Sequence, residues 1–69
     1  MDLYEFLDRM IGQEFTFCRI HNLENDKELC RGYADDIEHD GRSLIQKYRV
    51  ITWYVVNEDV FINVRKKDK

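Results

Sequence analysis

Four residues of this chain are of the types that build a tetrahedral metal site: Cys18, His21, Cys30 and His39. Zinc takes such a set, but Cys18 and His21 stand an odd number of positions apart in an alternating stretch, which sends their side chains to opposite faces of a strand. A single site would need the strand to end between them, so neither a metal nor another cofactor is expected. Asp35 and Asp36 have the chemistry for acid–base work, yet neighbours in a strand also project to opposite sides and cannot share a substrate. Ser43, the only serine, lies near His39 and Asp40 without the strand-to-helix turn that presents a nucleophile. Gly12, Gly32 and Gly41 are too far apart to form a phosphate-cradling loop. These patterns point away from an enzyme.

Binding chemistry is better represented. Arg42, Lys47, Tyr48 and Arg49 combine cations for phosphate with an aromatic ring for an unpaired base, the mixture that readers of single-stranded RNA use. Asp35, Asp36 and Glu38 form an acidic cluster suited to a basic protein partner. The formal net charge of −3 hides a strong asymmetry. Residues 1–40 hold eleven acidic and four basic side chains, a balance of −7, whereas residues 41–69 hold three acidic and seven basic, a balance of +4. Such a distribution suits head-to-tail self-association or a basic face that meets a polyanion.

The elements that must position these residues follow from periodicity. Leu3, Phe6, Leu7, Met10 and Ile11 recur at helical spacing, Asp2 can cap the first turn with Glu5 three residues on, and Gly12 can end the helix. Its polar side is acidic, which disfavours a membrane surface. From Glu14 to His21 the chain alternates, with Phe15, Phe17, Arg19 and His21 on one side of a strand. A polar turn follows over residues 22–27. If it closes a symmetric hairpin, Cys18 comes opposite Cys30, both as reduced thiols acting as small core residues.

The stretch from Glu28 to Glu38 supports two readings. Leu29, Cys30, Tyr33, Ala34 and Ile37 fit a helix over about residues 26–39, which would make the protein α+β. Gly32 in mid-helix argues for a strand instead, and His39-Asp40-Gly41-Arg42 then reads as a hairpin turn into a further strand from Ser43, bent near Gln46–Arg49. Two apolar runs follow, Val50–Val56 and Val60–Val64, separated by Asn57-Glu58-Asp59. Both are expected to be buried, with Trp53 in the core. The basic tail, residues 66–69, is expected to be mobile.

A helix, a glycine, a strand with Phe15 and Phe17, then Gly32, Ile37 and Glu38, followed by Leu44 and Ile45 and two closing apolar runs, resembles the Sm-like family in its bacterial RNA-chaperone branch. In that family a glycine opens the second strand, an apolar and an acidic residue follow five and six positions on, and aliphatics begin the next strand. The resemblance implies a small five-stranded SH3-like barrel over residues 14–65, preceded by an N-terminal α-helix over residues 1–12, in a single domain over residues 1–69. It also implies ring assembly through strand edges and binding of single-stranded RNA. The acidic Asn57-Glu58-Asp59 stands where such relatives carry a basic or histidine-containing motif.

The expected function is thus that of a non-enzymatic binding module for single-stranded RNA. The alternative is a small acidic interaction or regulatory protein, of the type carried by phages and mobile elements, that binds a host protein. Partners are RNA or a basic protein and further copies of the chain. No run of ~20 apolar residues is present to span a bilayer, nor is a basic segment leading into an apolar one, so a cytoplasmic protein without membrane association is expected.

Overall fold

In the computed structural model, which describes residues 1–67, the N-terminal helix α1 runs from Leu3 to Asp8 and buries Leu3 and Leu7, one turn apart. The Asp2 carboxylate accepts from the Tyr4 N–H at 2.8 Å and so caps the first turn. At the other end Gln13 substitutes for a longer helix. Its Nε2 donates to the carbonyls of Leu7 at 2.6 Å and Asp8 at 3.0 Å, at the end where carbonyls lack the next turn's N–H groups; the Leu7 carbonyl also accepts from the Met10 N–H at 3.2 Å.

Strand β1 (Phe17–Asn22) alternates as its sequence predicts, with Cys18, Ile20 and Asn22 buried and Phe17, Arg19 and His21 on the other face. It turns into β2 (Lys27–Tyr33) through a loop in which the side chains of Asn22 and Asn25 accept from the backbone N–H groups of Glu24 and Lys27. A bulge after Ile20 shifts the register. The turn closes on Asn22 opposite Lys27, and with the bulge Cys18 stands opposite Gly32, and Cys30 opposite Ile20 rather than Cys18.

Beyond β2 the expected barrel is overturned. The segment read as strand, hairpin turn and strand forms two helices, α2 (Ala34–Asp40) and α3 (Arg42–Ile45). Ala34, Ile37 and Ile45 bury their side chains against the sheet, and the Ala34 and Asp35 N–H groups donate to the carbonyls of Thr16 and Gln13. Gly32, weighed against a helix for lying inside it, precedes it in β2 at φ +151°, a conformation that a side chain would strain. Ile37 and Glu38, read through the resemblance as strand residues, lie on α2, and Leu44 and Ile45 lie on α3. The Sm-like and SH3-like descriptions are therefore not met. The fold is α+β, and the helix of the alternative reading starts at Ala34 rather than near residue 26.

Strand β3 (Tyr48–Val56) and strand β4 (Asp59–Lys66) close the chain as an antiparallel hairpin around Asn57, which takes φ +57°. The sheet order is β2-β1-β4-β3, with β1 and β4 parallel at the centre. Both outer strands remain unclosed among the described residues, so this four-stranded sheet is open. The three helices cover one face. Between the layers lies a core of Leu3, Leu7, Cys18, Ile20, Ala34, Ile37, Ile45, Val60, Ile62 and Val64.

The aromatic residues did not go where their bulk predicts. None of the nine is fully buried. Trp53 is 55% exposed although the Phe6 ring of α1 lies 5.7 Å from it, and Ile51–Val56, expected as core, is exposed throughout on the outer strand of the sheet. The start of the basic tail is held: Lys66 belongs to β4, the Lys67 N–H donates to the Lys47 carbonyl at 2.8 Å, and the Lys67 ammonium bonds the Asp2 carboxylate. Residues 68 and 69 of the tail lie outside the described part.

Candidate nucleic-acid interface

Alternation and register together determine what the uncovered face of the sheet displays. Phe17, Arg19 and His21 point away from the core on β1, as do Phe61, Asn63 and Arg65 on β4. Their partners across the ladders add Tyr33 and Arg31 from β2 and Tyr54, Thr52 and Arg49 from β3. Tyr33 meets Phe17 edge-on at 5.5 Å between ring centroids, and Tyr54 stacks on Phe61 at 5.2 Å with the planes 5° apart. The Arg19 guanidinium lies between the two aromatic pairs, 5.8 Å from the Phe17 centroid and 5.7 Å from that of Phe61. Four rings and one cation thus make a continuous band across all four strands.

The charges on this face are arranged at a cost. Arg19 stands opposite Arg31, and Arg49 stands opposite Arg65. Like charges directly opposed across a ladder destabilise a sheet. Glu28 offsets Arg31 at 2.9 Å, and Asp59 approaches Arg19 at 3.9 Å, leaving the buried Arg19 Nε without a hydrogen-bond acceptor. Neither Arg49 nor Arg65 is in an ion pair among the described residues. Six further acidic groups stand on the helices, Glu5 and Asp8 on α1 and Asp35, Asp36, Glu38 and Asp40 on α2, while Glu28, Asp59 and Asp26 accompany Arg31, Arg19 and His21 on the sheet. Burial, then the neighbouring Asp8, raises the Glu38 pKa, while Gln13 donates to its Oε2 at 3.0 Å.

The residues singled out in the sequence separate on folding. Arg42 leaves the basic segment for α3, where its guanidinium covers the Tyr4 ring at 4.9 Å. Tyr48 is half-buried against the core, Lys47 is exposed in the turn before β3, and only Arg49 reaches the open face. Asp35, Asp36 and Glu38 stay together on α2, with Asp35 3.3 Å from His39. His21 pairs with Asp26 at 2.8 Å, well apart in the fold from the α2 histidine, and no group of three or more metal-ligating side chains converges among the described residues. No helix among the described residues is long and apolar enough to cross a membrane.

Phe17, Arg19, Tyr33, Tyr54 and Phe61 were not grouped by sequence reasoning. The alternation of Phe17, Arg19 and His21 does put the first two on one side, but the β1–β4 pairing that brings Phe61 alongside is parallel and spans some forty residues. Comparison of the chain with protein-family models, with curated proteins and with solved structures finds no match.

Proposed function

We propose that the open sheet face binds single-stranded nucleic acid, with RNA as the first ligand to test. The observation that carries this reading is the aromatic band centred on Arg19, bordered by the opposed pair Arg49 and Arg65. Tyr33 and Tyr54, each about half exposed (46% and 49%), offer ring faces and edges to unstacked bases. Phosphates between those bases would neutralise the arginines that the sheet leaves opposed, and Lys47 stands exposed in the adjoining turn, two residues before Arg49. Glu28 and Asp59 accompany Arg31 and Arg19 on this face, but Arg49 and Arg65 have no carboxylate partner among the described residues, so a protein of net charge −3 presents a locally cationic border there.

The test is fluorescence anisotropy with labelled single-stranded RNA of several sequences. Affinity is expected to fall with salt, as it does when cations displace counterions from phosphate. Tyr33→Ala and Tyr54→Ala should each weaken binding by about 5- to 100-fold, the range for one lost base–aromatic stack. Arg65→Ala and Lys47→Ala should reduce the salt dependence. Absence of binding at low salt to every sequence would reject the reading.

The acidic face of α2 favours a second reading, a basic protein partner held by Asp35, Asp36 and Glu38. A partner captured after nuclease treatment, and lost on reversing those three charges, would support it over the first.

A further inference from the structure

We infer that β3 is a self-association edge, which joins two copies of this chain antiparallel about a two-fold axis into one eight-stranded sheet. The two outer strands of the sheet are unlike. β2 carries Lys27, Glu28 and Arg31 and faces a bulge in β1, features that discourage pairing with another chain. β3 is closed to a further strand only at its start, where the Val50 N–H donates to the Met1 carbonyl at 2.7 Å and Asp2 bridges Arg49. From Ile51 to Val56 it has no charge, no proline and no strand paired on its outer edge among the described residues, and Ile51, Trp53, Tyr54, Val55 and Val56 are 42–56% exposed on its two faces even with Phe6 of α1 against Trp53. Trp and Tyr are also the types that anchor interfaces most strongly.

Charge selects the occupant. The uncharged segment is flanked by Arg49 on its N-terminal side and Glu58 on its C-terminal side, and neither forms an ion pair within the chain among the described residues. An antiparallel second copy directs its own Glu58 end toward Arg49 and its Arg49 end toward Glu58, so opposite charges meet once at each end of the contact. A parallel copy would set like charges together. A two-fold axis normal to the sheet keeps both helix layers on one side, closes the assembly at two, and makes the contact self-complementary. The apolar flank of Met1, Phe6, Met10 and Ile11 beside Trp53 lies along the same edge and extends the surface the second copy would cover. The open face remains uncovered, so this inference does not rest on nucleic-acid binding and is tested without it.

Sedimentation equilibrium of the full chain, free of nucleic acid, should show a monomer–dimer equilibrium. Val55→Lys should give a monomer with an unchanged circular dichroism spectrum. Arg49→Glu and Glu58→Arg should each weaken self-association by about tenfold or more, since each reversal acts at two symmetric contacts. An equimolar mixture of these two single variants should recover dimers, because each chain then supplies the charge the other lacks. A wild-type chain that stays monomeric at millimolar concentration would overturn the proposal. So would a dimer insensitive to Val55→Lys, a mixture no tighter than its components, or assembly beyond two copies.

Discussion

At Cys18 burial, aided by neighbouring Cys30 and Asp59, pushes the thiol up to about 11 from an ordinary value of 9.0. Cys30 is raised as well, by burial and then by Glu28. A thiol whose pKa is higher in the folded state favours folding fully below the unfolded value, and that contribution is lost as pH rises through the folded one. Stability should therefore fall between about pH 9 and pH 11 more steeply in the wild type than in Cys18→Ala, as urea denaturation at both ends of that window would show. Equal slopes would mean that Cys18 is not held neutral by its surroundings. Asp2 has the opposite sign. Burial works against its charge, but the Lys67 ammonium and the Tyr4 N–H outweigh it and hold the carboxyl below 3.8, so this group stabilises above the usual carboxylate range and loses that effect in acid.

The join between β2 and α2 is decided by one glycine. Gly32, one residue before the end of β2, takes φ +151°, a conformation that alanine would strain, although a Cβ there would meet only Ile37 Cγ1 at an ordinary 3.6 Å. Gly32→Ala should cost about 1–3 kcal/mol in chemical denaturation, and a neutral effect would show that the turn adjusts freely. This join is also where sequence reading failed. Leu3 and Leu7 of the expected stripe, the alternation from Phe17 to His21, the Asn-rich turn and the final strand were legible because each is fixed by local spacing, but the helix ends at Asp8 rather than at Gly12, leaving Ile11 96% exposed, and the strand starts at Phe17 rather than Glu14. Residues 28–38 were not, since Leu29, Cys30, Tyr33, Ala34 and Ile37 suit one helix, while the chain divides them between a strand and a helix that starts at Ala34. The Thr16 and Gln13 carbonyls that receive the first N–H groups of α2 are tertiary partners, invisible to a propensity argument. Of the candidate site, Arg49 was legible, and the ring band was not, because Phe61 reaches Arg19 only through the parallel pairing of β1 with β4.

Across the whole molecule, polarity is sorted between two layers. Six carboxylates stand on α1 and α2, while Arg19, Arg31, Arg49 and Arg65 and four rings share the bare sheet with Glu28 and Asp59, and a small aliphatic core holds the layers together. With a core of this size a 69-residue chain has little stability to spare, so the exposure of five large side chains along β3 is a cost that pairing with a second copy would offset. Folding also explains why charge along the sequence was a poor guide to surface: Arg19 and Arg31, from the acidic half, share the open face with Arg65 from the basic half. The most direct test of the functional reading is a titration of isotope-labelled protein with a short uridine-rich RNA, followed by amide NMR shifts. The account predicts changes centred on Arg19, Tyr33, Tyr54, Phe61 and Arg65, with α2 unmoved. Shifts confined to α2, or none at low salt, would contradict it.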